Sequence, residues 1–144
     1  MHYINVVKVA LIKEQSFKSE IKKIYQPSDV AKIACEYLKD LDREHFILIC
    51  VDTQHKVNAL HTVSIGSVNA SIVHPREVFK VAILANATSI FVAHNHPSGN
   101  CTPSTEDQTV TKRIQNAGEL LGIDLIDHII VGDGYYSFKE NGLL

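Results

Sequence analysis

The sequence predicts a mixed α/β domain built around one sheet, and three observations carry that reading. A nearly unbroken apolar run, His45–Val51 (HFILICV), has the character of a central strand covered on both faces. A second run, Ile90–Ala93, stops abruptly at the polar string His94-Asn95-His96. Stretches with apolar residues at helical spacing are interleaved with these runs, so strands and helices alternate in mixed order. At 144 residues the chain suits one compact domain with its own core. Within it, an N-terminal strand and connecting segment (1–27) precede the main body (28–144).

Taken in order, Tyr3–Ile12 is rich in valine and isoleucine and reads as a strand. Lys13–Gln26 is polar with scattered apolar residues, and no element is assigned to it. Pro27-Ser28-Asp29 opens a helix with Ser28 as N-cap, and Val30, Ile33, Ala34, Tyr37, Leu38 and Leu41 form its apolar face. Asp40–Arg43 ends it. His45–Val51 and the alternating run Val57–Ile65 form an antiparallel hairpin about a turn at Asp52–Lys56. Gly66–Ser71 is a polar connection. Pro75 suits the first position of a helix running to about Ala87. The strand Ser89–Ala93 follows, and then a loop. Ser104–Leu121 is a long helix with Val110, Ile114, Ala117, Leu120 and Leu121 facing inward, closed by Gly122. Ile123–Val131 is a further strand, turning at Gly132-Asp133-Gly134 into Tyr135-Tyr136-Ser137.

Composition narrows the class. Fourteen basic and sixteen acidic residues leave a net charge of −2, so no bulk attraction to nucleic acid or anionic membrane is written into the chain. Three cysteines without CxxC spacing argue for a reducing compartment. Cys35 and Cys50, set within apolar patterns, read as small core residues. Asn5 and Lys8 interrupt the first apolar residues, so no signal-peptide core forms, and no run reaches membrane-spanning length. A cytoplasmic protein is expected.

The chemistry concentrates in Ser89–Asp107, SIFVAHNHPSGNCTPSTED. In extended backbone residues i and i+2 point the same way, so His94 and His96 share a face. A carboxylate returned by the following turn, Asp107, makes a third ligand, and three ligands with one open position describe a catalytic zinc site. An HxH pair alone is a weak pattern, and Asp107 also suits the first turn of a helix electrostatically. Ser104 suits the N-cap. A base for the attacking water is needed, and the residues leave two candidates. Glu44 stands at the start of the central strand, and Glu77 in the first turn of the next helix. His128 in DHIIVG and Cys101 inside the motif loop are near-site candidates, while Arg76 reads as a solvated helix-start residue.

HNHPSGNCTPSTED resembles the JAMM/MPN+ metalloprotease motif: a distant Glu, then HxH, ten residues and Asp, with Ser three before the Asp. HNHPSG, VHPREVF and LIDHIIVGDGYYSF together resemble the RadC family of bacterial JAMM-domain proteins, from about Ser28 to Leu144. The resemblance implies a three-layer, cytidine-deaminase-like domain with a mixed central sheet flanked by helices. It also implies one Zn²⁺ per chain on His94, His96 and Asp107, with Glu44 rather than Glu77 as general base. Ser104 would then hydrogen-bond the oxyanion. The implied activity is a zinc metallopeptidase or isopeptidase acting on a peptide or protein substrate. RadC proteins typically carry an N-terminal helix-hairpin-helix region, and only Met1–Pro27 stands in its place here, as in a short, phage- or plasmid-associated relative. The alternative is a nucleic-acid-associated module of repair or anti-restriction, for which a basic stripe would be needed.

Overall fold

A computed structural model of the chain describes every residue from Met1 to Leu144. Its centre is β1 (His45–Val51), paired antiparallel on one side with β2 (Val57–Ile65) and on the other with β3 (Ser89–Asn95). β3 runs parallel to β4 (Asp124–Gly132), which turns back into β5 (Gly134–Ser137). The sheet is therefore mixed, in the order β2-β1-β3-β4-β5.

Strand alternation sorts the apolar run of β1 into two cores, because successive side chains point to opposite faces. Phe46, Leu48 and Cys50 join Ile90 and Val92 in one cluster, with Val78, Phe79 and Ala82 of α2 (Pro75–Leu84) and Val110 and Ile114 of α3 (Thr105–Leu121). Ile47, Ile49 and Val51 join Phe91, Ala93 and Ile129 against Val30, Ile33 and Ala34 of α1 (Pro27–Tyr37). One helix covers one face and two helices cover the other. This is the three-layer mixed architecture that the motif resemblance implied.

Several boundaries differ from the sequence reading. Residues 3–12 lie in no strand and are exposed, and the only β-bridge of the N-terminal region is an isolated one, Lys23 to Lys56. Gln26, not Ser28, caps α1, because Asp29 at the third helical position accepts the Gln26 backbone N–H and so sets the cap one residue before Pro27. α1 ends at Tyr37 and α2 at Leu84, a few residues earlier than the apolar spacing allowed, with Asp40 and Asn86 at positive φ just beyond. β3 continues through His94 and Asn95, since β1 and β4 still flank it there. Leu120 and Leu121 are exposed: α3 has passed the end of the sheet before Gly122 closes it in a left-handed conformation. Cys50 is buried as expected, but Cys35 is exposed on α1.

The loop after β3 is fixed by backbone contacts. The His96 N–H donates to Val131 O (2.8 Å), the Gly99 N–H to His96 O (2.9 Å), and the Asp133 N–H to Gly99 O (2.7 Å). A Cβ on Gly132 would lie 2.5 Å from Gly99 O, so the loop and the β4–β5 turn meet backbone to backbone. Gly132→Ala should therefore lower stability by about 1–3 kcal/mol, read as a shifted denaturant midpoint at unchanged slope. An unshifted midpoint would show that the loop yields freely.

Candidate metal centre

β3 carries Ile90, Val92 and His94 on its α2/α3 face, so strand parity delivers the His94 imidazole to the N-terminal end of α3. Its ring stacks on Phe46 of β1 (5.9 Å between centroids) and is fully buried. His96 lies two residues on, and the two Nε2 atoms come within 3.0 Å. α3 supplies the carboxylate through its cap. The Asp107 N–H donates to Ser104 Oγ (3.0 Å) and the Ser104 N–H donates to Asp107 Oδ2 (2.9 Å). This reciprocal cap sets Asp107 Oδ1 3.3 Å from His94 Nε2 and Oδ2 3.2 Å from His96 Nε2. Ser104 is the N-cap, as expected, and its hydroxyl proton is not spent in the cap.

The hydrogen bonds determine where the imidazole protons sit. Thr111 Oγ1 donates to Asp107 O (2.7 Å), so towards His128 Nδ1 (2.5 Å) it can only accept, and that nitrogen carries a proton. His128 is completely buried and held neutral, so its Nε2 accepts from His94 Nδ1 (2.8 Å). His94 thus spends its Nδ1 proton on His128. His96 likewise donates from Nδ1 to Asn100 O (2.7 Å), a carbonyl that can only accept. Both Nε2 atoms are left to present lone pairs to each other and to Asp107. Without a cation, one of them would have to take an extra proton to bridge the 3.0 Å gap. Metal-binding histidines show this pattern, with one nitrogen tied to a buried acceptor and the other free. The donor set fits a divalent metal.

Glu44 completes the cluster from the turn before β1. Its carboxylate lies 3.7 Å from His96 Nε2, and with His94 and His96 it forms a group whose ligand atoms are within 4.8 Å of one another. The Val68 N–H holds its other oxygen (3.1 Å). Asn95 anchors the same turn to β3, accepting from the His45 N–H (2.7 Å) and donating to Arg43 O (3.0 Å). Glu44, His96, Ser104 and Asp107 open onto a surface groove of twelve residues in which Val68 is the only hydrophobic one. A polar chain could lie there.

Burial alone would raise the Asp107 carboxyl, but in the metal-free chain the extra proton on the imidazole pair lets His94, with the Ser104 N–H and His96, outweigh it and hold it well below the usual carboxylate range. His128 is pushed well below the usual histidine value, first by burial and then by its histidine neighbours.

Of the residues named from sequence, Glu44, His94, His96, Ser104 and Asp107 are brought together, and His128 touches His94 directly. Glu77 is not. It pairs with Lys80 (3.0 Å) and Arg76 on the exposed start of α2 and does not line the groove. Cys101 faces Gly99 O and Asp133 O rather than the histidines. Arg76 is solvated, as expected. Thr111, Asn95 and the Val68 amide were not foreseen. A threonine seven residues after the N-cap, two helical turns in on the apolar face, was the available signal for Thr111.

Two outcomes follow from the proton arrangement. Thr111→Val strands the His128 Nδ1 proton in the core and should cost about 1–3 kcal/mol, with divalent metal affinity falling about 10–100-fold and Thr111→Ser restoring both. Metal titration with the chelated protein checks this. Because His128 is depressed in the fold, the unfolded chain binds the extra proton, so metal-free stability is present above about pH 6.5 and declines below it, at up to about 1.4 kcal/mol per pH unit. Asp107 adds a further loss only below about pH 4, where the unfolded carboxyl begins to protonate. Denaturant melts in chelator between pH 7.5 and 5 should show the decline in wild type and a flatter profile in His128→Gln.

Residues 24–143 match a family profile described as a RadC-like JAB domain. The chain is 53% identical over 119 residues to a UPF0758 protein of Desulforamulus reducens, covering 82% of this chain and 52% of that one. It is 49% identical over 121 residues to a UPF0758 protein of Rubrobacter xylanophilus, covering 84% and 53%. A UPF0758 protein of Alkaliphilus metalliredigens is 48% identical over 139 residues, covering 94% and 60%. The chain spans little more than half the length of these relatives. No helix is long and apolar enough to cross a membrane. With its motif residues gathered at the end of β3 and its profile match over most of its length, the chain belongs to the RadC family and carries that family's JAB domain.

Proposed function

We propose that this domain is a zinc-dependent hydrolase of peptide or isopeptide bonds, with His94, His96 and Asp107 as metal ligands and Glu44 as general base. The observation that carries the reading is the position of Glu44. It lies at the groove rim, 3.7 Å from His96 Nε2, on a carboxylate held by the Val68 amide rather than by a cation. When bound, the metal supplies Lewis acidity that brings the pKa of a coordinated water to about 7. Glu44 takes the proton of the attacking water and returns it to the leaving amine. Ser104, its hydroxyl proton uncommitted at the groove edge, donates to the carbonyl oxygen as negative charge develops there. His128 and Thr111 hold His94 in the tautomer that ligation requires.

The groove is better suited to a peptide than to a phosphodiester. Asp42, Glu44, Glu106 and Asp107 line it against one arginine, Arg43, which is tied to Asp42 at 2.9 Å. Phosphate recognition would need the opposite balance.

Metal content after purification without added metal, wild type beside His96→Ala and Glu44→Gln, is the first test. About one zinc per chain is expected in wild type and Glu44→Gln, and none in His96→Ala. Turnover of a panel of peptide and lysine-isopeptide substrates should fall about 10²–10⁴-fold in Glu44→Gln while its zinc is kept. Full activity in that variant would remove Glu44 as the base. A wild type that binds no zinc when supplied with it would remove the whole reading.

A further inference from the structure

Residues Tyr3–Ile12 stand outside both cores. Tyr3, Ile4, Val6, Val7, Val9 and Ile12 are each at least 75% exposed and belong to no strand. Their composition is that of a buried strand, with Lys8 as the only charge. A run of this kind left in water is a surface awaiting a partner.

The sheet has a matching open edge. β2 is its outermost strand on one side, and Val57–Ile65 (VNALHTVSI) contains no charge, no proline and no glycine. Those are the devices by which solvent-facing edges avoid pairing with other chains. Only the first residues of this edge are engaged. The Val57 N–H donates to Lys22 O (3.0 Å), the Ile24 N–H donates to His55 O (2.9 Å), and Lys23 bridges antiparallel to Lys56. Continued backwards in that register, residues 14–21 would cover Asn58–Ile65. They form no ladder with it: Phe17 packs on the Tyr37 ring of α1 at 5.2 Å, Tyr37 in turn bonds Thr62 of β2 (3.2 Å), and Glu20 pairs with Lys32 at 3.2 Å. Ser16 and Ser19 are the only turn-favouring residues of Lys13–Glu20, and Ser19 Oγ accepts the Ile21 N–H (3.1 Å) on the way into α1. Tyr3–Ile12 makes no backbone hydrogen bond to its own β2.

We propose that Tyr3–Ile12 of one copy adds as a strand to the β2 edge of a second copy, and that the exchange is reciprocal, giving a closed two-fold dimer. The occupant is a second copy because donor and acceptor are both on this chain and match in length, ten residues against nine. Both are also nearly uncharged, so pairing buries no unmatched ion. Mutual exchange satisfies two arms and two edges at once and stops at two. Main-chain hydrogen bonds supply the affinity and the valine and isoleucine side chains the burial, as in other strand-addition interfaces. Two such arms together bury on the order of 1,500 Å², the size of a specific protein interface.

The test uses the full chain, wild type and a Val7→Pro/Val9→Pro double variant. Proline removes the N–H groups a strand needs, and both positions are exposed, so the domain itself should be unaffected. Sedimentation should give twice 16.0 kDa for wild type and a single chain for the variant. Amide exchange should show the β2 amides protected in wild type and released in the variant, with β1 and β3 protected in both. A monomeric wild type would overturn the proposal, and so would a dimer that survives the two prolines. A dimer whose outward β2 amides exchange freely would place the arm elsewhere, and would overturn it as well. None of these readouts depends on metal binding or on hydrolysis.

Discussion

The hydrogen-bond chain from Thr111 through His128 to His94 is the constraint on which the site rests. Each link leaves the next group only one way to bond, because a hydroxyl has one proton and a neutral imidazole has one donor and one acceptor. The chain begins at a backbone carbonyl of α3, Asp107 O, and ends at a lone pair on His94 Nε2 facing the Asp107 carboxylate. One residue of α3 therefore anchors the chain with its main chain and meets its far end with its side chain. Such a loop holds the acceptors converged even though their lone pairs repel.

Holding acceptors together in a dry place is costly, and the packing shows how the cost is met. His128 lies stacked on Phe138 at 4.5 Å and edge-on to Phe46 at 5.5 Å, so its ring is fixed by aromatic contact as well as by hydrogen bonds. Asp107 spends one oxygen on the Ser104 amide, which offsets part of its desolvation and stabilises the start of α3. The carboxylate that serves the site is thus also a helix cap, and neither role excludes the other. Glu44 differs. It is partly exposed and tied by one amide, which leaves its other oxygen towards His96 at the groove.

The same economy governs the rest of the fold. The three layers need only α1, α2, α3 and the five strands, and both cores close without residues 3–12. A strand-like segment that no core requires is free to serve a surface role, and the uncharged edge of β2 lies in the same chain.

Much of the site was legible in the sequence because its residues are close together or have strong local meaning. His94 and His96 share a face by strand parity, and Ser104 and Asp107 are a helix-cap pair three residues apart, so local geometry alone brings two ligands and a cap within reach. The apolar runs of β1 to β4 were legible for the same reason: burial on both faces leaves a composition that survives without context. The choice of Glu44 over Glu77 rested on family resemblance; the β1–β3 pairing, Phe46 beside His94, is what brings Glu44 to within 3.7 Å of His96 Nε2. His128 was a near-site candidate from sequence, but its bonds to His94 and to Thr111 come only from the β3–β4 pairing and the packing of α3 over β4, contacts 34 and 17 residues apart in the chain. The fate of Tyr3–Ile12 was likewise beyond sequence. Local composition states that a segment can be a strand, but a strand exists only where tertiary structure offers an edge to pair with, and within one copy this chain does not bring the two together.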